Sequence, residues 1–208
     1  MATTVLLFYK YVDLSADGVV DEVIAWQRQV CEEAGVKQGR ILVATEGING
    51  TLAGTAQAIQ TYCDKLAAGK YFREAHAAQP IDFKTSTTDE AVLFADLAVK
   101  RMGSICGGGE IAKTSLKNGG RHLSPADFHE ALKASSEQDT VILDCRNDYE
   151  YAIGHFKNAI DPGTKHFHEF AKYVDENKNK WIQEGKKVLM YCTGGIRCEK
   201  ASVRSRIF

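Results

Sequence analysis

Apolar and polar positions divide the chain of 208 residues into short apolar runs separated by amphipathic stretches. Residues 5–12 read Val-Leu-Leu-Phe-Tyr-Lys-Tyr-Val and stop at Asp13 and Ser15, which predicts a buried strand. Val20, Val23, Ile24, Val30, Cys31 and Ala34 then recur at helical spacing, with Gln27 as the one polar gap and Gly35 placed to end the helix. Residues 40–52 hold two apolar runs around Gly47 and Asn49-Gly50, so a hairpin is expected with its tight turn at those residues. Ala56, Ile59, Cys63, Leu66 and Ala67 predict a second helix ending at Gly69, followed by a weaker strand over 81–84. The order β-α-β-β-α-β is the split βαβ, ferredoxin-like plan, assigned to residues 1–102.

Residues 103–120 are glycine-rich and without periodicity, which marks a linker. Past it the pattern changes to strands alternating with helices. Ser124 can cap a helix with Pro125 at its first position. Residues 141–145 and 187–192 read as buried strands, and Phe167, Phe170, Ala171 and Val174 form one helical face. This alternation predicts a parallel α/β sheet in residues 121–208.

Composition narrows the function classes. Apolar residues are 44% and charged residues 25% of the chain, as in an ordinary globular domain. No run is long enough to span a membrane and no secretory leader is evident, so a cytoplasmic protein is expected. A net charge of -1 leaves any nucleic-acid affinity to local patches. Two such tracts exist: Lys100, Arg101, Lys113, Lys117 and Arg121 against Glu110, and residues 177–208 with eight bases against two acids. The six cysteines include no Cys-x-x-Cys, which argues for free thiols over a zinc knuckle or dithiol. His166 and His168 lack a third ligand at metal spacing, so no metal is expected.

The chemistry concentrates in Tyr191-Cys192-Thr193-Gly194-Gly195-Ile196-Arg197-Cys198. Cys192 ends an apolar strand and precedes a helix, where backbone N–H groups and the positive helix end face the sulfur. Gly194 and Gly195 permit the turn and Arg197 adds positive charge, so a thiolate is expected at Cys192.

Cys192-x-x-Gly195-x-Arg197 after an apolar strand resembles the active-site loop of rhodanese domains. Asp144-Cys-Arg146-Asn-Asp-Tyr-Glu150-Tyr-Ala-Ile-Gly154-His155-Phe-Lys-Asn-Ala159 resembles the upstream rhodanese signature. The resemblance implies that Cys192 carries a persulfide, that Asp144, Arg146 and Glu150 support the site, and that His155 belongs to the scaffold. On the residues alone, Asp144 also fits a strand-end cap and Glu150 a surface ion pair. Three longer strings narrow the match: residues 191–201, residues 120–129 and Thr45-Glu-Gly-Ile-Asn-Gly-Thr-Leu. Together they resemble the rhodanese-related tRNA uridine hydroxylase family, which hydroxylates the wobble uridine of certain tRNAs with molecular oxygen. That resemblance implies 5-hydroxyuridine formation, oxygen as co-substrate and tRNA as partner, while no flavin, haem or iron site is identifiable. The family pattern also implies further sequence past Phe208, because a complete rhodanese sheet and the family's cysteine-rich tail need it.

Two alternatives stand beside the hydroxylase. A rhodanese-type sulfurtransferase would pass sulfur from Cys192 to an acceptor, although Thr193 replaces the basic residue that favours anionic donors. A noncatalytic module would bind RNA or protein through its N-terminal domain. If RNA is the substrate, an unpaired base is expected to stack on Tyr191 or Trp181.

Overall fold

The computed structural model describes residues 2–107 and 119–205. The chain divides into two compact units, one up to Ile105 and one from Cys106. Most of the expected linker, with Glu110, Lys113 and Lys117, lies outside the described residues, as does Arg206.

In the first unit the strands are β1 (Thr3–Tyr11), β2 (Gln38–Ala44), β3 (Gly47–Gly54), β4 (Lys84–Thr88) and β5 (Leu97–Arg101). The helices are α1 (Val19–Ala34), α2 (Ala56–Ala68) and a short α3 (Arg73–Ala78). The sheet order is β4-β1-β3-β2-β5, antiparallel throughout except that β5 runs parallel to β2. The ferredoxin-like plan is therefore present, with β5 as a fifth strand. In β1, Thr4, Leu6 and Phe8 are buried while their neighbours are only half-buried, so the apolar run is a one-sided strand. Leu6 and Phe8 pack with Val23, Val30, Ile59 and Leu66 of the two long helices. Each such side chain contributes about 2 kcal/mol of burial.

Gln27, the gap in the α1 stripe, lies on the buried face after all, and its side-chain oxygen accepts a hydrogen bond from the Tyr62 hydroxyl. Gly35 ends α1 in a left-handed conformation, and the N–H of Val36 returns to the Cys31 carbonyl at 2.8 Å.

The hairpin turn falls at Thr45-Glu46, and Asn49-Gly50 lies inside β3, paired with Leu42 and Ile41. Glycine here answers a packing need that resembles a turn signal. Gly47 has φ +140°, and a Cβ on it would stand 2.1 Å from the Lys10 carbonyl oxygen of the neighbouring strand. The last expected strand is also displaced, from residues 81–84 to Lys84–Thr88, because Ile81 is spent in the core ahead of the strand.

The second unit contains α4 (Pro125–Ala134), β6 (Thr140–Asp144), α5 (Asp148–Ile153), β7 (Ala159–Ile160), α6 (Phe170–Gln183), β8 (Lys187–Tyr191) and α7 (Ile196–Ser205). Its described strands form a parallel sheet in the order β7-β6-β8. Ser124 caps α4 by accepting from the Asp127 N–H at 3.1 Å, with Pro125 next. The core joins Val141, Leu143 and Cys145 to Phe167, Phe170, Val174, Trp181 and Ala201. Trp181 is 5% exposed and so is a core residue, unable to offer its face to a base. Among the described residues no helix is long and apolar enough to cross a membrane.

Candidate functional site

The register of β6 on β8 pairs Asp144 with Tyr191, and the Cys145 N–H donates to the Tyr191 carbonyl at 2.9 Å. The two strands thus end together and deliver the Asp144 and Cys192 segments to one edge, the C-terminal edge where parallel sheets hold their ligands. The loop after β8 turns at Gly195, which has φ +92°, and leads into α7. The Gly195 N–H points back to Cys192 Sγ at 3.0 Å. A backbone N–H thus faces the sulfur, and the Cys198 N–H adds a second.

Arg197 reaches Cys192 but is gripped by a carboxylate. Its Nη1 and Nη2 grip the two Glu150 carboxylate oxygens at 2.7 and 2.9 Å, and Nη2 also donates to the Thr193 hydroxyl at 3.0 Å. That hydroxyl in turn donates to Glu150 at 2.8 Å. Thr193 therefore closes a three-membered ring that ties α5 to the loop. Burial alone would raise the Glu150 carboxyl, but Arg197, Thr193 and the Asn147 N–H hold it down at about 2. The surface-pair reading of Glu150 is replaced by a largely buried ion pair, with 14% and 17% side-chain exposure for Arg197 and Glu150.

This commitment alters the expected thiolate. The thiol of Cys198 and burial push the Cys192 thiol well above its ordinary value, against the opposing pull of the Cys198 N–H and Arg197. Cys192 therefore rests as a protonated thiol, with Arg197 too weak an opposing influence to reverse the effect of Cys198 and burial. Its activation requires a base or substrate that changes this balance. Burial pushes Cys31 up to about 12, and burial with the Asp64 charge pushes Cys63 up to about 11; both are more enclosed than the half-buried Cys192.

Asp144 and Arg146 form a second pair behind the first. Fully buried Asp144 accepts from the Arg146 N–H at 2.9 Å and from its guanidinium at 2.7 Å, while Arg146 Nη2 reaches the Gly154 carbonyl at 2.6 Å. The hydrogen bonds that Arg146 donates to Asp144 raise the Arg146 pKa, so this cation persists at any working pH. Asp144 thus anchors Arg146 across both ends of α5 as well as ending its strand. Arg146 lies 5.4 Å from the Tyr191 ring centre, and Phe156 meets that ring edge-on at 4.7 Å. His155 stacks on Tyr151 at 3.8 Å. The ion pair of Glu150 with Arg197 joins residues 47 apart, and sequence gave no sign of which base would be chosen.

Much of the C-terminal basic tract is also occupied. Lys178 and Arg204 both pair with Asp175, Lys186 donates to the Glu137 and Gln138 carbonyls, and Lys200 is buried. Lys180 and Lys187 remain exposed. Among the described residues no group of three or more His, Cys, Asp or Glu side chains is placed to hold a metal.

A parallel sheet presenting a cysteine loop cradled by backbone N–H groups defines a rhodanese-type site, and comparison with known proteins agrees. Residues 125–206 match the rhodanese-like domain, and residues 3–105 match the UPF0176 acylphosphatase like domain. The two matches follow one another along the chain and between them take in most of it. It is 38% identical over 203 residues to the tRNA uridine(34) hydroxylase of Enterococcus faecalis, covering 97% of this chain and 59% of that protein. The proteins of that name from Oceanobacillus iheyensis and Bacillus mycoides are each 40% identical, covering 95% and 97% of this chain and 57% and 60% of theirs. The chain therefore spans somewhat under two thirds of the length of the curated relatives it matches.

Proposed function

We propose that this chain carries the catalytic cysteine of an oxygen-dependent tRNA uridine hydroxylase that forms 5-hydroxyuridine at the wobble position. The observation that supports this most is that similarity to proteins of that name runs through both units at once, covering 95–97% of the chain. A bare rhodanese domain would match the second unit alone. In this reading Cys192 is the reacting group, and Thr193, Gly194, Gly195, Ile196, Arg197 and Cys198 form its loop. Glu150 positions the loop through Arg197, and Asp144 with Arg146 braces α5. Molecular oxygen is the co-substrate and the cytoplasm the working place.

The ordering of events follows from the resting state of the sulfur. Cys192 must lose its proton before it can act as a nucleophile, and the Gly195 and Cys198 N–H groups then stabilise the anion in place. The exposed ring of Phe156, together with Tyr191, offers an apolar face beside the loop on which an unpaired base can stack. The first unit is assigned to gripping tRNA, with Lys100 exposed at its last strand.

The deciding experiment is nucleoside mass spectrometry of tRNA from a bacterial strain lacking its own wobble-uridine hydroxylase and expressing this chain. Restored 5-hydroxyuridine supports the reading. Its absence, with a thiolated nucleoside gained instead, establishes the sulfurtransferase that the rhodanese domain match also accommodates.

A further inference from the structure

Three thiols line up behind the loop. Asp144 and Tyr191 are paired across parallel strands, so the residues that follow them, Cys145 and Cys192, leave the sheet side by side. Helix α7 brings Cys198 to the same place, and all three sulfurs pack on the single core cluster of the second unit, as does Cys106. Cys198 is the middle member, sharing hydrogen bonds with Cys192 on one side and Cys145 on the other. The backbone N–H of Cys198 is also directed at Cys192, which fixes the start of α7 against that sulfur. Gly194 and Gly195 lie between the two cysteines in sequence, giving the intervening backbone the freedom a cross-link needs. Cys145, at 1% exposure, is locked at a strand end by its bond to Tyr191. No described donor set converges on a metal here, so the thiols form a row and not a cage.

We propose that Cys198 is the resolving thiol of Cys192, closing a reversible disulfide when hydrogen peroxide oxidises the loop. In the first step solvent water, acting as the base that the resting thiol needs, takes up the Cys192 proton, and the thiolate sulfur attacks one peroxide oxygen. An S–O bond forms, the O–O bond breaks, and the departing hydroxide leaves as water with the Cys192 proton. In the second step the Cys198 sulfur attacks the Cys192 sulfur, an S–S bond forms, and the S–O bond breaks. The hydroxyl leaves as a second water with the Cys198 proton. The two thiols together give two electrons to one peroxide. The device suits an enzyme that uses oxygen: the sulfur exposed to stray peroxide is held in a recoverable form and is not driven on to the irreversible acids. Chemically the inference requires only the arrangement of these thiols and not the identity of the substrate.

The test uses the full chain without tRNA, treated with excess hydrogen peroxide, blocked with N-ethylmaleimide and mapped as non-reduced peptides. A Cys192–Cys198 disulfide is expected, with alkylation of Cys192 lost and then restored by dithiothreitol. In Cys198→Ser, dimedone captures Cys192 as sulfenic acid, and longer exposure carries it to sulfinic and sulfonic acids. Cys145→Ser leaves the disulfide intact. A Cys192–Cys145 link, or over-oxidation of Cys192 in the unmodified chain with no disulfide, overturns the proposal. Should Cys198→Ser fail to fold, the peptide map of the unmodified chain decides alone. Because no step reads tRNA, the result stands or falls separately from the hydroxylase reading.

Discussion

The two units place their charges in opposite ways. In the first, ion pairs lie outside the core: Arg101 with Asp21 keeps 55% and 71% of its two side chains exposed. Such pairs contribute little, and the unit is held by an apolar core between sheet and helices. In the second, Asp144 with Arg146 has 1% and 18% exposure, and Glu150 with Arg197 is nearly as enclosed. Breaking an enclosed pair leaves an uncompensated charge, so these pairs impose geometry even where their net stabilisation is small. The difference separates a unit built for packing from one built to fix a loop.

Several changes would break or sharpen that contrast. The largest effect is expected for Cys192→Ser, which removes the nucleophile at almost constant volume: activity is abolished while the circular dichroism spectrum is unchanged. Glu150→Gln releases the Arg197 fork and should lower activity about a hundredfold through misplacement of the loop. Arg197→Lys, which keeps the charge but only one contact, should lose roughly tenfold, and Arg197→Ala more. Equal losses in the two Arg197 variants, measured as kcat/KM on tRNA, would show that fork geometry outweighs charge.

In the packing unit the corresponding weak point is backbone. Gly47→Ala meets both a φ of +140° and the Lys10 carbonyl, and should destabilise the first unit by about 2–3 kcal/mol in urea unfolding, without touching Cys192 reactivity.

Acid gives the mildest and most direct comparison. Glu150 and Asp175, the latter held down first by Arg204 and then by Lys178, both titrate at about 2 in the folded chain, below their ordinary 4.5 and 3.8. Depressed carboxylates stabilise fully above their ordinary values, and that contribution is lost as pH falls through those values toward 2. The second unit should therefore loosen first between pH 4.5 and 2. Each unit holds one of the two tryptophans, so Trp181→Phe and Trp26→Phe variants report the units separately by fluorescence. Simultaneous transitions would show that Glu150 and Asp175 give the second unit no special acid sensitivity.

The same contrast explains what sequence revealed. Helices α1 and α2 were legible because their apolar stripes face one core, and even Gly35 ended α1 as read. The hairpin turn was misplaced because Gly47 is demanded by a strand-to-strand approach, which looks like a turn signal in one dimension. β5 went unread because only Val99 of its five residues is buried. At the site, the cysteine loop was visible as a local string, and so was its rhodanese character. The partner of Arg197 and the protonation of Cys192 were not, since the first depends on folding Glu150 onto the loop from 47 residues away and the second on how burial and the turn set Cys198 against the sulfur.

The outer strands of the five-stranded sheet carry one further consequence. β4 reads Lys-Thr-Ser-Thr-Thr and β5 ends in Lys100-Arg101, so each outer strand is short and bears charge or hydroxyls. Another chain adding a strand there would have to strip water from those groups and find little apolar surface in return. The margins of this sheet thus discourage edge-to-edge growth through the first unit.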